Sequence, residues 1–199
     1  MEYDDIIYTP PIGSEPLGRG DLLVASPLLR QPFFARSTVL LLDRDSRQGF
    51  IGLTLNNATD LRLDSLFPSW DDAGRVTVYS GGPVEPDRLF MLHSVPELFG
   101  KGLEVLPGLF VGAGLDNIRE YVEEGGEISG KLRFFLGYSG WHAGQLEDEI
   151  SAHTWAVNRH PNGHNILRGR GITYWERAVK ALGSDFGDWI RVPENPSLN

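Results

Sequence analysis

The sequence predicts an α+β protein, an antiparallel or mixed sheet with helices packed against it, whose short strands could curl into a partial barrel. Three observations predict it. Short apolar or β-branched segments recur from residue 22 onward, each bounded by Gly, Pro, Asn or Asp. Helical periodicity is confined to the second half of the chain. The strand segments come in runs rather than alternating with helices, which argues against a doubly wound parallel sheet.

The elements follow in order. Leu22 to Ala25, Thr38 to Leu42, Phe50 to Leu55 and Val76 to Tyr79 read as strands, with Asp43 to Gly49 as a hairpin connection. Leu89 to Leu92, Leu103 to Leu106, Leu109 to Val111 and Leu132 to Tyr138 continue the series, and Pro107-Gly108 marks a turn. Asp116 caps a helix whose Ile118, Tyr121 and Val122 form one stripe, stopped by Gly125-Gly126. A second helix is expected from His142 to Val157, with Ala143, Leu146, Ile150 and Val157 on one face. In the third, Thr173 and Glu176 have the spacing of a capping box, and Gly183 ends it.

The chain has 199 residues, of which 41% are hydrophobic and 23% charged. That length suits one domain burying about 70% of its unfolded surface. The expected organisation is an extended arm over 1–19 with Pro10, Pro11 and Pro16, one domain over 20–191, and a tail over 192–199. No cysteine is present, which excludes disulfides, thiolate zinc sites and thiol nucleophiles. The start is acidic with no signal-like apolar run, and stretches such as Val39 to Leu42 are far too short to cross a bilayer. The expectation is a cytoplasmic protein without membrane partners.

A formal charge of −9 (18 − 27) argues against a protein built to coat nucleic acid. Locally the balance reverses. Between Ser151 and Leu182, Arg159, Arg168, Arg170, Arg177 and Lys180 face Glu176 alone, with His153, His160 and His164 nearby. Solvated arginines near helix ends are the plain reading, and a basic patch on an acidic body is the functional one.

Several motifs approach catalytic signatures without completing them. Gly137-Tyr-Ser139-Gly140-Trp141 has the look of a nucleophile elbow, but Trp141 stands where the second glycine of Gly-x-Ser-x-Gly is needed. His142, Glu149 and His153 share a helical stripe suited to a metal, yet Leu146 stands between them. His160 and His164 are separated by Pro161-Asn162-Gly163 and are no helical pair. Ser80-Gly81-Gly82-Pro83 offers backbone amides to an anion but lacks the Lys-Ser/Thr of a phosphate loop. His93 suits acid-base work at neutral pH, or equally a buried role holding a loop. Glu147, Asp148 and Glu149 suit the positive end of their helix. The five tryptophans read as core anchors. No residue is assigned a catalytic, cofactor or metal role.

The ordered landmarks Gly20-Asp-Leu-Leu-Val-Ala-Ser-Pro27, Phe34-Ala-Arg-Ser-Thr-Val39, Gly52-Leu-Thr-Leu-Asn56, Gly81-Gly-Pro-Val84, Leu92-His93, Gly137-Tyr-Ser-Gly-Trp141, Gly144-Gln-Leu-Glu147, Glu149 and Trp155 resemble the bacterial AlgH/YqgE family from Gly20 to about Gly183. The resemblance implies an α+β fold with a bifurcated sheet forming a pseudo-barrel, and a regulatory role in transcription. It carries over no catalytic residues. Family members often have alanine where this chain has Ser139, and His142 lies outside the family pattern.

Two readings of function follow. The first is a non-enzymatic regulatory or interaction protein working through a surface where Asn56, Gly81, Gly82, His93, Trp141, Gln145 and Glu147 converge. The second is a small-molecule-binding protein or enzyme acting on an anionic or polar substrate. Helix-turn-helix spacing is absent, so direct DNA contact is not expected, and the partner is an unidentified protein or small molecule.

Overall fold

The computed structural model describes residues 16–45, 49–67, 70, 76–159 and 161–193. Most of the expected N-terminal arm, most of the tail and His160 lie outside the described residues. The strands are β1 (Leu22–Ala25), β2 (Thr38–Asp45), β3 (Gly49–Thr54), β4 (Ala58–Arg62), β5 (Thr77–Ser80), β6 (Val84–His93), β7 (Leu103–Leu106), β8 (Leu109–Val111), β9 (Leu132–Trp141) and β10 (Trp155–Asn158). The helices are α1 (Leu63–Leu66), α2 (Pro96–Phe99), α3 (Leu115–Glu123), α4 (Gln145–Ser151), α5 (Gly163–Ile166) and α6 (Gly171–Leu182), with a 3-10 segment at Ser184–Arg191.

The ten strands form one sheet of order β10-β1-β2-β3-β9-β6-β8-β7, with β5 joining β9 and β4 joining β5. The described pairs are antiparallel except β5 with β9. The path is open, so the sheet curls without closing into a barrel.

The sheet forks on β9. Its first half, Phe134 to Leu136, pairs with β5, and its last residues, Ser139 to Trp141, pair with β3. Both partners use one edge of β9 while β6 takes the other. Glycines make the fork possible: a Cβ on Gly82 would lie 1.8 Å from the Tyr138 carbonyl carbon, and one on Gly81 would lie 2.4 Å from the Gly137 oxygen. Gly137 itself has φ +70°, which a larger residue adopts only under strain. Thr54 Oγ1 and Ser139 Oγ, 3.0 Å apart, fill the crotch of the fork, and Ser139 Oγ donates to the Gly81 carbonyl at 3.1 Å.

Strand alternation divides the core into three clusters. Leu22, Val24, Leu40 and Leu42 face α6 and the 3-10 segment, where Tyr174, Trp175, Val179 and Trp189 pack. Leu23, Ala25, Val39 and Leu41 face the opposite way, against Leu146 and Ile150 of α4. Phe134 and Leu132 of β9 pack with Val78 and with Ile118 of α3. All five tryptophans are buried.

Three helix expectations are corrected. The helix read from His142 to Val157 is only Gln145–Ser151, because His153 turns the chain at φ +57° and Trp155 to Asn158 form β10 against β1. Val157 and His153 therefore leave the helical stripe. The capping box is not formed: α6 starts at Gly171 with Arg170 as cap, and Thr173 Oγ1 donates to the Arg170 carbonyl instead. Gly114, not Asp116, caps α3, with Asp116 in its first turn.

Candidate functional site

Most of the motif residues serve the framework. Asn56 is buried and uses both ends of its amide: Oδ1 accepts from the Thr38 amide at 2.9 Å, and Nδ2 donates to the carbonyls of Arg36 (3.0 Å) and Gly171 (3.2 Å). His93 is fully buried at one end of β9's partner strand. Its Nε2 donates to the Gly112 carbonyl at 2.9 Å and its Nδ1 accepts from the Val95 amide at 3.4 Å. These bonds fit the neutral ring, and burial lowers its pKa below the ordinary 6.5. It stacks on Phe110 and meets the edge of Phe99.

Gly137 to Trp141 lie within β9 rather than at a strand-to-helix junction, and Ser139 is fully buried with both hydroxyl contacts inside the fork. Past the end of β9, the Glu149 carboxylate accepts three hydrogen bonds, from Trp141 Nε1 (2.9 Å), Trp155 Nε1 (2.8 Å) and Gln145 Nε2 (2.9 Å). Glu147 reaches Arg44 at 3.5 Å. Among the described residues no cluster of His, Asp or Glu has the arrangement of a metal site.

The motif list therefore falls at separate places. Asn56, Gly81 and Gly82 lie by the fork, while Trp141, Gln145 and Glu147 lie at the far end of β9. His93 pairs with Leu132 at the opposite end. The ten residues of β9 at about 3.3 Å each put those ends about 30 Å apart. The Trp141 end borders a groove of about 810 Å³ beside Ile51, Val84, Tyr138 and His142.

A second recess, of about 840 Å³, opens where the parallel strands β5 and β9 begin. Arg133 of β9 lines it and is only 5% exposed. Its two terminal nitrogens donate to the carbonyls of Leu55 and Gly169, each at 2.8 Å, and its guanidinium carbon lies 4.3 Å from the Tyr79 ring centre. Tyr174 offers a second ring at 5.9 Å. No acidic side chain among the described residues pairs with Arg133. Burial lowers its pKa, opposed by the two phenols, and burial pushes that of Tyr174 up to about 12.

Arg168 and Arg170 add two exposed cations to the same recess, and Glu127 is the acidic residue on its lining among the described residues. Neither arginine has an acidic partner among the described residues. Gly130, at φ +71°, turns the chain beside the Arg168 side chain. The turn carrying both arginines is tied to Asn56, whose carbonyl accepts from the Gly171 amide at 2.9 Å. The positive end of α6 starts there with no acid in its first turn.

The basic segment noted in the sequence thus divides. Arg159 binds Asp21 at 2.7 Å and Arg177 folds back on Tyr174 and the Arg168 carbonyl, so Arg168 and Arg170 alone of these line the recess. Sequence reasoning passed over Arg133 and Tyr79. The available signal was a lone arginine in the otherwise apolar run Leu132-Arg-Phe-Phe-Leu136.

A family model described as AlgH-like matches residues 22–187. A UPF0301 protein of Parabacteroides distasonis is 38% identical over 182 residues, 91% of each chain, and one of Bacteroides fragilis is 37% identical with the same coverage. The solution structure of the AlgH protein from Pseudomonas aeruginosa superposes with a TM-score of 0.67 at 27% identity, covering 87% of this chain and 93% of that one. A Corynebacterium diphtheriae protein shares the fold with a TM-score of 0.68 at 20% identity, over 89% and 94% of the two chains.

Proposed function

The chain belongs to the AlgH-like family, and from that premise we propose that it is a non-catalytic binding protein whose working site is the Arg133 recess, taking a small anionic ligand. The observation that carries this reading is Arg133 itself, a buried cation held by carbonyls and aromatic faces with no acidic partner among the described residues. Burying a charge without a counter-ion is costly. An anionic oxygen about 4 Å from the guanidinium gains on the order of 4 kcal/mol of attraction at an effective dielectric of about 20, before its own desolvation is subtracted. Arg168, Arg170 and the start of α6 add to that field.

The regulatory role suggested by resemblance then operates through ligand occupancy rather than through base reading. The net charge of −9 opposes general binding to a phosphate backbone, whereas a recess of this volume suits a small molecule. Asn56 contributes as a positioning residue, because its bonds to Gly171 hold the arginine turn.

Isothermal titration with pyrophosphate tests the reading. The intact protein is expected to bind, and the Arg168→Gln/Arg170→Gln double variant to bind at least about tenfold more weakly, a loss of about 1.4 kcal/mol. Equal binding by both proteins, or none by either, would contradict it.

A further inference from the structure

The recess has two chemically different walls, and the alternation of β9 creates them. Arg133 points to the face shared with Tyr79, Phe135 and α6, while its neighbour Leu132 points to the opposite face with Phe134 and Ile118. The parallel register carries the division into β5, where Val78 pairs with Phe134 and Tyr79 with Phe135. Arg168 and Arg170, on the turn before α6, stand on the Arg133 side. The other side is apolar: Val76, Val122, Ile128 and Leu132 line the recess and belong to, or pack against, the cluster around α3.

We infer that the ligand is an amphipathic organic anion, with a phosphate or carboxylate head against Arg133, Arg168 and Arg170 and an apolar body against Val76, Val122, Ile128 and Leu132. The inference rests on the binding role assigned to this recess under the proposed function. A bare inorganic ion would meet the basic wall and leave the apolar one wet, and a recess of about 840 Å³ holds far more than one oxyanion. An apolar body recovers the free energy of keeping that second wall from water, with each buried methylene strengthening binding by about fourfold. Val122 is half-buried at the last turn of α3, so its side chain is a direct probe of the apolar wall without being part of the deep core.

The test compares inorganic phosphate with octyl phosphate, below its micelle-forming concentration, by titration calorimetry on the full chain. Octyl phosphate is expected to bind at least about tenfold more tightly than phosphate. Val122→Ser is expected to weaken octyl phosphate by about three- to tenfold and leave phosphate unchanged, while Arg168→Gln weakens both. Equal affinity for the two anions, with Val122→Ser silent and Arg168→Gln still weakening both, would overturn the amphipathic ligand and leave the anion site standing. Failure of both anions to bind would remove the site and this inference with it. Vesicles of phosphatidylcholine with and without phosphatidic acid distinguish the source of the head group. Selective binding to the acidic vesicles assigns a lipid, and binding to soluble octyl phosphate alone assigns a free amphiphile.

Discussion

The guanidinium of Arg133 lies 4.3 Å over the ring of Tyr79, one residue from each of two strands that run parallel and share a register. That stacking gives a buried cation an aromatic face, and the Leu55 and Gly169 carbonyls give it hydrogen bonds. No acidic side chain among the described residues neutralises the charge.

Under the proposed function Arg133 has both a structural and a binding role, and Arg168 and Arg170 only the second. Arg133→Met leaves the buried Leu55 carbonyl and the partly buried Gly169 carbonyl without this donor and is expected to cost about 2–4 kcal/mol in urea unfolding. Arg168→Gln and Arg170→Gln, exposed and without acidic partners among the described residues, are expected to stay within about 0.5 kcal/mol of the parent. A comparable loss from all three changes would mean that the turn before α6 is braced by its arginines rather than by Asn56.

The Glu149 carboxylate accepts from two indoles and one amide, so it needs acceptors on both oxygens. Glu149→Gln turns an amide donor toward these donors and is expected to destabilise the chain by about 2–4 kcal/mol. Tryptophan emission should shift to longer wavelength at the same time, because Trp141 and Trp155 lose their anchor. Parent-like stability and emission would show that the indoles are held by packing alone.

Gly82 passes so close to Tyr138 that no side chain fits without parting the fork. Gly82→Ala is expected to cost more than about 4 kcal/mol, read as loss of cooperative thermal unfolding or of soluble protein. Gly108→Ala has open space around its Cβ position and pays only for its φ of +74°, expected to be about 1–2 kcal/mol. Similar costs at the two positions would refute the close approach at the fork.

His93 gives stability a pH dependence. Its folded pKa lies below the ordinary 6.5 because burial disfavours the imidazolium. As pH falls through about 6.5 the unfolded chain takes up the proton first, so stability is fully present above that pH and declines below it, toward the folded pKa. His93→Phe is expected to flatten this slope and to lower stability at pH 8 by about 1–3 kcal/mol through the lost bonds to Val95 and Gly112. Denaturant midpoints of the two proteins between pH 5 and pH 8 provide the check; parallel slopes would exclude His93 as the source.

The fold was legible where local pattern and tertiary role agree. Leu22 to Ala25, Leu103 to Leu106 and Leu109 to Val111 are strands with the expected bounds, and the turn at Pro107-Gly108 joins the last two. Trp155 to Asn158 misled because Ile150 and Val157 also fit a helical face, and only the backbone turn at His153 separates helix from strand. β4 was missed because its half-buried Thr59 and exposed Asp60 and Arg62 carry no apolar alternation.

The site was less legible than the fold. Glycine and histidine motifs draw attention by residue type, yet Gly81 and Gly82 are committed to the fork, Asn56 to the turn before α6, and His93 to the loops at Val95 and Gly112. Arg133 looks like one charge in an apolar strand until β5 places Tyr79 on the same face. The register between distant segments made the site, and register is not written in either segment alone.

The central claim is most directly tested by a backbone amide NMR titration of the full chain with octyl phosphate. Shifts concentrated at Gly130, Arg133, Gly169 and Gly171, and abolished in Arg168→Gln/Arg170→Gln, are the predicted result. Shifts confined to Gly140 through Gln145 at the opposite end of β9, or no saturable shift, would contradict an anion site in the Arg133 recess.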